Sequence, residues 1–249
     1  MKTVIKFFTM FTLLIASVDA MSTALHNPVN IATKRKIQEN IPSSNELKIT
    51  PYHFIKAADL TIDSDTANNP IALKNMTGPG RLKRQADLIR DYARVNNYSM
   101  EYCFLVDMSI PSGKKRFFVY NLRKDSLEFS AMVSHGFGST QKEKDCEDQL
   151  MFSNMPYSFK TSLGKYKIGK PYKGTYGLSY KLYGLDSTNN RAFERAIVLH
   201  SDLHVPENET FPGRIYQSAG CPTVTPNFLP ILGSFIKSSK KPILMWIYN

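Results

Sequence analysis

The 249-residue chain holds only three cysteines, a single tryptophan and far fewer acidic than basic residues, 21 against 32. Three cysteines are an odd number, so at most one disulfide forms and one thiol is left over. After residue 20 no apolar run approaches the length needed to span a bilayer, which argues against a permanent membrane span in the remainder of the chain. No internal repeat is visible, so solenoid and propeller arrays are excluded. The shortage of acid leaves a formal charge of +11, to which Lys2, Lys6 and Asp19 contribute +1. A basic surface suits nucleic acid, an anionic surface or an acidic polymer.

The first twenty residues choose among these partners. Lys2 and Lys6 precede a largely apolar stretch, Val4 to Ile15, and Val18-Asp19-Ala20 follows it with small residues. That order is the order of a secretory signal, with cleavage before Met21. The other reading is an uncleaved N-terminal anchor. No cysteine follows the apolar stretch, which argues against a lipoprotein anchor. An exported, soluble mature protein is expected, in the periplasm or cell envelope. Export argues against nucleic acid as partner. The scattered lysines read simply as a solvated basic surface, with which an anionic cell wall is compatible.

Past the signal, residues 21–45 are polar and end in Pro42-Ser43-Ser44-Asn45. Thr50-Pro51 starts a predicted helix with Phe54, Ile55 and Ala58 on one stripe, and residues 62–80 carry loop signals. Leu82, Ala86, Ile89 and Ala93 then predict a helix over 81–95. From residue 101 the pattern changes to short strands at 102–108, 115–122 and 126–134, then at 165–169, 178–183 and 195–200. Thr225-Pro226 begins a last helix, Pro242 ends it, and Ile243–Tyr248 closes the chain as a buried strand. The organisation expected is a signal (1–20), an N-terminal leader and helical extension (21–95) and a mainly β domain with flanking helices (96–249).

The chemistry concentrates near the end. His200 terminates the apolar strand Ala196-Ile197-Val198-Leu199, and Cys221 follows in Ser218-Ala219-Gly220-Cys221. A thiol is a useful nucleophile at neutral pH when its proton is removed or its pKa lowered, and an imidazole can do both. Gly220 lets the backbone turn sharply and aim amides at a developing oxyanion. Cys221 and His200 are therefore read as a cysteine acyl-transfer site that needs no cofactor. His204 stands four residues from His200 and, with Cys221, offers a conceivable zinc set. His135, in Ser134-His135-Gly136, either lines the cleft or is a turn histidine. Arg214 either pairs with a substrate carboxylate through its planar fork or is structural. Phe117, Phe118, Tyr176, Tyr180 and Trp246 read as core or cleft-wall aromatics. Cys103 and Cys146 either pair or stand as a buried and an exposed thiol.

These residues, taken in order, resemble the YkuD-like L,D-transpeptidases, specifically the murein L,D-transpeptidase catalytic domain family. The resemblance begins at Phe104-Leu105-Val106-Asp107-Met108 and Lys115-Arg116-Phe117-Phe118-Val119, and continues through Ser134-His135-Gly136 and Ser162-Leu163-Gly164. It is strongest at Arg195–His200, Gly213-Arg214 and Ser218–Pro222, covering roughly residues 100–249. The resemblance implies a β-sandwich or barrel catalytic domain acting on peptidoglycan stem peptides. It implies Cys221 as nucleophile, His200 as base, amides of Gly220 and Cys221 at the oxyanion, and Ser218 fixing the turn. His135, Ser201 and Arg214 are expected near the substrate. Two departures stand out: Ala219 replaces a histidine common in relatives, and Ser201 replaces a common glycine. A catalytically silent envelope-binding protein of the same fold is the competing expectation, and a zinc-dependent hydrolase a third. Oligomeric state, and the choice between transpeptidation and hydrolysis, are not legible.

Overall fold

The computed structural model describes residues 78–140 and 150–249. The signal, the helix expected from Thr50 and Cys146 lie outside them. The first described element, helix α1 (Pro79–Val95), opens with a proline in its first turn, where a missing N–H costs nothing. Ala86, Ile89 and Ala93 form its buried stripe. It ends at Asn96, whose amide and side chain both donate to the Tyr92 carbonyl, and Asn97 turns the chain away in a left-handed conformation.

Eight strands follow: β1 (Tyr102–Asp107), β2 (Phe117–Asn121), β3 (Ser126–Ala131), β4 (Gly164–Gly174), β5 (Gly177–Gly184), β6 (Val198–Ser201), β7 (Thr223–Val224) and β8 (Leu244–Tyr248). Helix α2 (Phe228–Ser238) separates the last two. The strands join one mixed sheet in the order β3-β2-β1-β8-β4-β5-β6-β7. Pairing is antiparallel except for β1–β8 and β6–β7, the two places where a long crossover returns the chain. Past β3 the chain reaches the other edge of the sheet. Ser134 donates to the Thr223 carbonyl, and Gly136 bridges Ser218. Edge β7 is thereby covered by the segment that follows β3, within a mainly β fold.

Alternation along the strands sorts side chains to two faces. Phe104 and Val106 of β1, Tyr166 and Ile168 of β4, Leu199 and Val224 join Phe228, Leu229 and Leu232 of α2 in the main core. Cys103 and Leu105 point the other way, with Tyr120, Leu244 and Tyr248, against Ala86, Ile89 and Ala93 of α1. Thus α1 packs on the sheet of the β domain, although its sequence reads as part of an N-terminal extension. Burying Ile89 completely contributes about 2 kcal/mol to that contact. Thr225 starts α2 by accepting the Phe228 amide on its hydroxyl, and Lys237 lies in the last turn, where the helix dipole favours a cation.

Two strands differ from their sequence pattern. β4 and β5 form a longer hairpin than the apolar runs suggest, extending through an irregularity between Ile168 and Pro171 to Gly174 and Gly177. β6 begins at Val198 rather than at Arg195, because Arg195 still belongs to a turn and Ala196 has φ 53°. No helix among the described residues is long and apolar enough to cross a membrane.

Candidate active site

The turn carrying Cys221 is built from glycine and a serine hydroxyl. Gly220 has φ 120°, and a Cβ there would come within 3.0 Å of the Lys160 carbonyl oxygen and 3.3 Å of Ile197. Only glycine meets both conditions without strain. Ser218 Oγ accepts the Gly220 amide at 3.1 Å and donates to the Cys221 carbonyl at 2.6 Å, closing the turn on itself. Ser218 and Gly220 therefore occupy the turn as the sequence suggests. The Gly220 N–H is engaged within the turn by its bond to Ser218 Oγ.

A second segment braces this turn from behind. Ser218 donates to the His135 carbonyl at 2.9 Å, and Phe137 donates to the Ser218 carbonyl at 2.8 Å. Gly136 lies against Gly220. A Cβ on Gly136 would overlap the Phe159 carbonyl oxygen and come within 2.8 Å of the Gly220 Cα. The Gly136 amide is held by Thr161 Oγ1 at 2.9 Å.

The Cys221 side chain is half-buried, and its sulfur accepts the Val198 amide at 3.5 Å and faces the Ala196 carbonyl at 3.9 Å. Burial pushes the thiol pKa up, while the Val198 amide and the Arg195 guanidinium pull it down by less. Arg195 is fixed by the carbonyls of Ser153 and Lys160 and by the Ser162 hydroxyl. His200 is buried at the end of β6. Its Nδ1 lies 3.1 Å from the Ser201 carbonyl, which can only accept, so Nδ1 carries the proton. Nε2 is then the basic nitrogen, and it meets Thr223 Oγ1 at 3.1 Å. Burial lowers the imidazole pKa, against smaller opposing effects of the Ser201 carbonyl and Asp202. Both partners are thus neutral near pH 7. Sulfur and imidazole are not hydrogen-bonded to each other. Thr223 Oγ1 lies 3.1 Å from Nε2 and 3.4 Å from the Cys221 main-chain carbonyl oxygen, so it ties the ring to the backbone of the turn and not to the sulfur.

The remaining candidates fall at different depths. Ser201 contributes its main-chain carbonyl to His200, a role any residue can fill, so the exchange of glycine for serine removes no chemical group. His135 is fully buried. Its Nδ1 accepts from Arg116 Nη2 at 2.8 Å, and its Nε2 faces Thr140 Oγ1 and Gln217. Burial, then the charges of Arg116 and Arg214, push its pKa down to about 3. Arg214 is exposed, within electrostatic reach of that ring. His204 points to solvent and pairs with Asp202 at 2.7 Å. Among the described residues no group of three His, Cys, Asp or Glu is placed to hold a metal ion. Cys103 is a free, fully buried thiol whose pKa burial raises.

Three further contacts around the site are set by the fold. Thr223 reaches His200 because the two are register partners in the β6–β7 ladder. Tyr176, at the tip of the β4–β5 hairpin, stacks on the His200 ring with centroids 4.2 Å apart and planes at 21°. Gly136 matters through its approach to Gly220. The Ser-Xaa-Gly-Cys-Pro-Thr spacing is a usable signal for Thr223, the sequence offers Tyr176 as a core or cleft-wall aromatic, and nothing local announces Gly136.

Residues 80–248 match the L,D-transpeptidase catalytic domain family. No curated protein matches the sequence. Among solved structures, the chain is similar to the helical cell shape determining protein Pgp2 of Campylobacter jejuni, with 14% identity and TM-score 0.39, covering 70% of this chain and 57% of that one. It is similar to Bd1075 of Bdellovibrio bacteriovorus, with 16% identity and TM-score 0.36, over 61% of this chain and 49% of that one. An L,D-transpeptidase from Xylanimonas cellulosilytica gives 13% identity and TM-score 0.34, over 64% and 68%. The chain thus spans little more than half the length of the first of these structures. The family match extends over well more than half of the chain, from α1 through the Cys221 turn to β8. By that match the protein belongs to the L,D-transpeptidase catalytic domain family.

Proposed function

We propose that this protein is an exported cysteine acyltransferase acting on peptidoglycan tetrapeptide stems, with Cys221 as nucleophile and His200 as base. The observation that carries the reading is the pairing of a neutral imidazole, its Nδ1 proton committed to the Ser201 carbonyl, with a half-buried thiol in a glycine turn. A neutral base is free to accept a proton, which a preformed imidazolium is not.

The sulfur first turns from the Ala196 carbonyl toward His200. It then attacks the carbonyl carbon joining the third stem residue to the terminal D-alanine, and its proton passes to Nε2. The Cys221 amide receives the oxyanion. As the tetrahedral species collapses, the C–N bond breaks, and His200 returns the proton to the departing D-alanine amine. The thioester left on Cys221 is resolved by an amine of a neighbouring stem or by water. Either acceptor gives its proton to His200, and the thiolate leaves and recovers it. In the free enzyme the Thr223 hydroxyl donates a hydrogen bond to Nε2 and, with Tyr176 on the ring face, holds the imidazole in one orientation. In this reading the exposed Arg214 and the half-buried Ser201 serve substrate positioning, whereas the fully buried His135 braces the Cys221 turn through its carbonyl. An envelope location follows from the substrate.

The lack of a sulfur–imidazole hydrogen bond favours one competitor, a silent binding protein of the same fold. Mass spectrometry of a disaccharide tetrapeptide incubated with the protein separates the two. Release of D-alanine is expected, and Cys221→Ala is expected to abolish it. Turnover persisting in that variant, or no thiol-dependent product from the unaltered chain, refutes the acyltransferase reading.

A further inference from the structure

The outward face of the β4–β5 hairpin carries a set of cations without anions. Lys167 is the register partner of Tyr183, and its Nζ lies 4.7 Å over that ring. Lys181 Nζ lies 5.0 Å from the Phe193 ring and 5.5 Å from Tyr172. Tyr183 and Phe193 stack on each other with centroids 5.3 Å apart and planes at 11°. Together with Lys170 and Pro242, Lys167, Lys181, Tyr172 and Tyr183 line an open cleft of about 520 Å³. No aspartate or glutamate lines it, and among the described residues none of Lys167, Lys170, Lys173 and Lys181 has an ion-pair partner.

Like charges held together on adjacent strands repel; the ring faces of Tyr172, Tyr183 and Phe193 offset part of that cost, and an anionic ligand would supply the missing counter-charge. The aromatic component narrows its chemistry, because electron-rich ring faces pack well against the polarised C–H groups of sugars. Position narrows it further. Tyr172, Ser179, His200 and Thr223 are successive register partners across β4, β5, β6 and β7, so their side chains share one face of the sheet. Lys181 lies two residues along β5 from Ser179 on that same face. The cleft and the catalytic ring are therefore about 10–15 Å apart on a continuous surface, a spacing a short oligosaccharide spans.

We propose that this cleft binds an anionic glycan: the polysaccharide strand, bearing carboxylates on its peptides, whose stem is processed at Cys221. The assignment rests on the peptidoglycan-directed reading of the Cys221 site. It makes the lysine-and-tyrosine cleft a polymer-holding site distinct from the acyl-transfer centre, one that retains the enzyme on its insoluble substrate.

Cosedimentation with purified peptidoglycan sacculi tests this in a Cys221→Ala background, where binding is read independently of turnover. Combining Lys167→Glu, Lys170→Glu and Lys181→Glu is expected to raise the half-saturating sacculus concentration about tenfold and to flatten its salt dependence. A control reversing the same charge at Lys124, Lys237 and Lys240 is expected to change it less than about twofold. Soluble peptide-bearing glycan strands should compete, and free stem peptides should need about tenfold more to do so. Equal losses in both triple variants, unchanged retention in a cleft variant that melts like its parent, or equal competition by free peptides would each overturn the proposal. So would a cleft variant that loses binding to phosphatidylglycerol vesicles but keeps the sacculus. Failure of the catalytic reading shows separately, as absent D-alanine release by the chain with Cys221 intact.

Discussion

The layer beneath α1 and the turn around Cys221 each contain a cysteine, and the two thiols live in opposite surroundings. Cys103 sits mid-strand in β1, paired on both sides by regular ladders and covered by the α1 stripe. Its contacts are apolar and its backbone is extended. Cys221 follows a glycine at φ 120° and precedes a strand of only two residues, with its neighbours fixed by side-chain hydroxyls and close backbone approaches. Regular packing tolerates small changes by repacking at modest cost. A turn made of backbone contacts has no slack, and it is there that the half-buried sulfur of Cys221 sits. The proposed nucleophile thus sits in irregular geometry, while the regular half supplies the rigidity that such geometry needs.

The largest effect separating the two regions is expected from one added methyl group. Gly220→Ala must accept a left-handed φ and a Cβ 3.0 Å from the Lys160 oxygen, so the turn moves and the Cys221 amide and sulfur move with it. We expect D-alanine release to fall about 10²-fold, the scale seen when reacting groups are displaced by about an ångström. Cys103→Ala removes only a buried sulfur under α1. It should leave turnover unchanged and lower stability by about 1–2 kcal/mol, read by denaturant unfolding. Comparable turnover losses from both substitutions would erase the distinction.

Acid should also divide the molecule in two. His135 supports the Cys221 turn through its carbonyl, and its ring is kept neutral by burial and by Arg116 and Arg214. The folded pKa, about 3, lies below the unfolded value near 6.5. Its stabilising share is therefore complete above pH 6.5 and is lost progressively as pH falls toward 3. By pH 4 the loss amounts to about 3 kcal/mol. Under α1 the titrating group is Asp125, whose pKa is lowered from the ordinary carboxylate range by Lys83, Arg90 and Tyr120 in spite of burial. Its contribution is lost only below about pH 4. Hydrogen exchange at about pH 5 should accordingly show the 135–137 and 218–223 amides opening before those of α1 and β1. His135→Gln, which keeps an acceptor for Arg116, should remove most of the difference. Simultaneous loosening of both regions in the unaltered chain would contradict it.

Legibility in the sequence follows the same division. Helix α1 is readable because Ala86, Ile89 and Ala93 repeat at helical spacing, and β1 because its apolar run is buried on both faces. Cys221, Gly220, Ser218 and His200 stand out as candidates because they lie in two short motifs. Strand β7 is not, since two residues carry no periodicity. Pro171 and Gly174 conceal the outer half of the hairpin, whose tip lays Tyr176 on His200. Thr223 and Gly136 act through partners 23 and 84 residues away, at His200 and Gly220, and such neighbours are set by sheet register rather than by sequence spacing.

The smallest effect probes the regular region by itself. Asp125 sits in a tight turn at φ 52° and accepts from Lys83 at 2.5 Å, Arg90 at 2.9 Å and the Tyr120 hydroxyl at 3.0 Å. This joins α1 to the β2–β3 hairpin by charge as well as by apolar contact. Asparagine tolerates the left-handed conformation and keeps an acceptor oxygen, so Asp125→Asn removes the charge with little else. The group is partly exposed, which screens the pairs, and about 1 kcal/mol of stability is expected to be lost, less at high salt. D-alanine release should not change. A loss of turnover beyond the loss of folded protein would mean that α1 and the Cys221 turn are energetically coupled through the sheet, and the division between a supporting half and a reactive half would have to be redrawn.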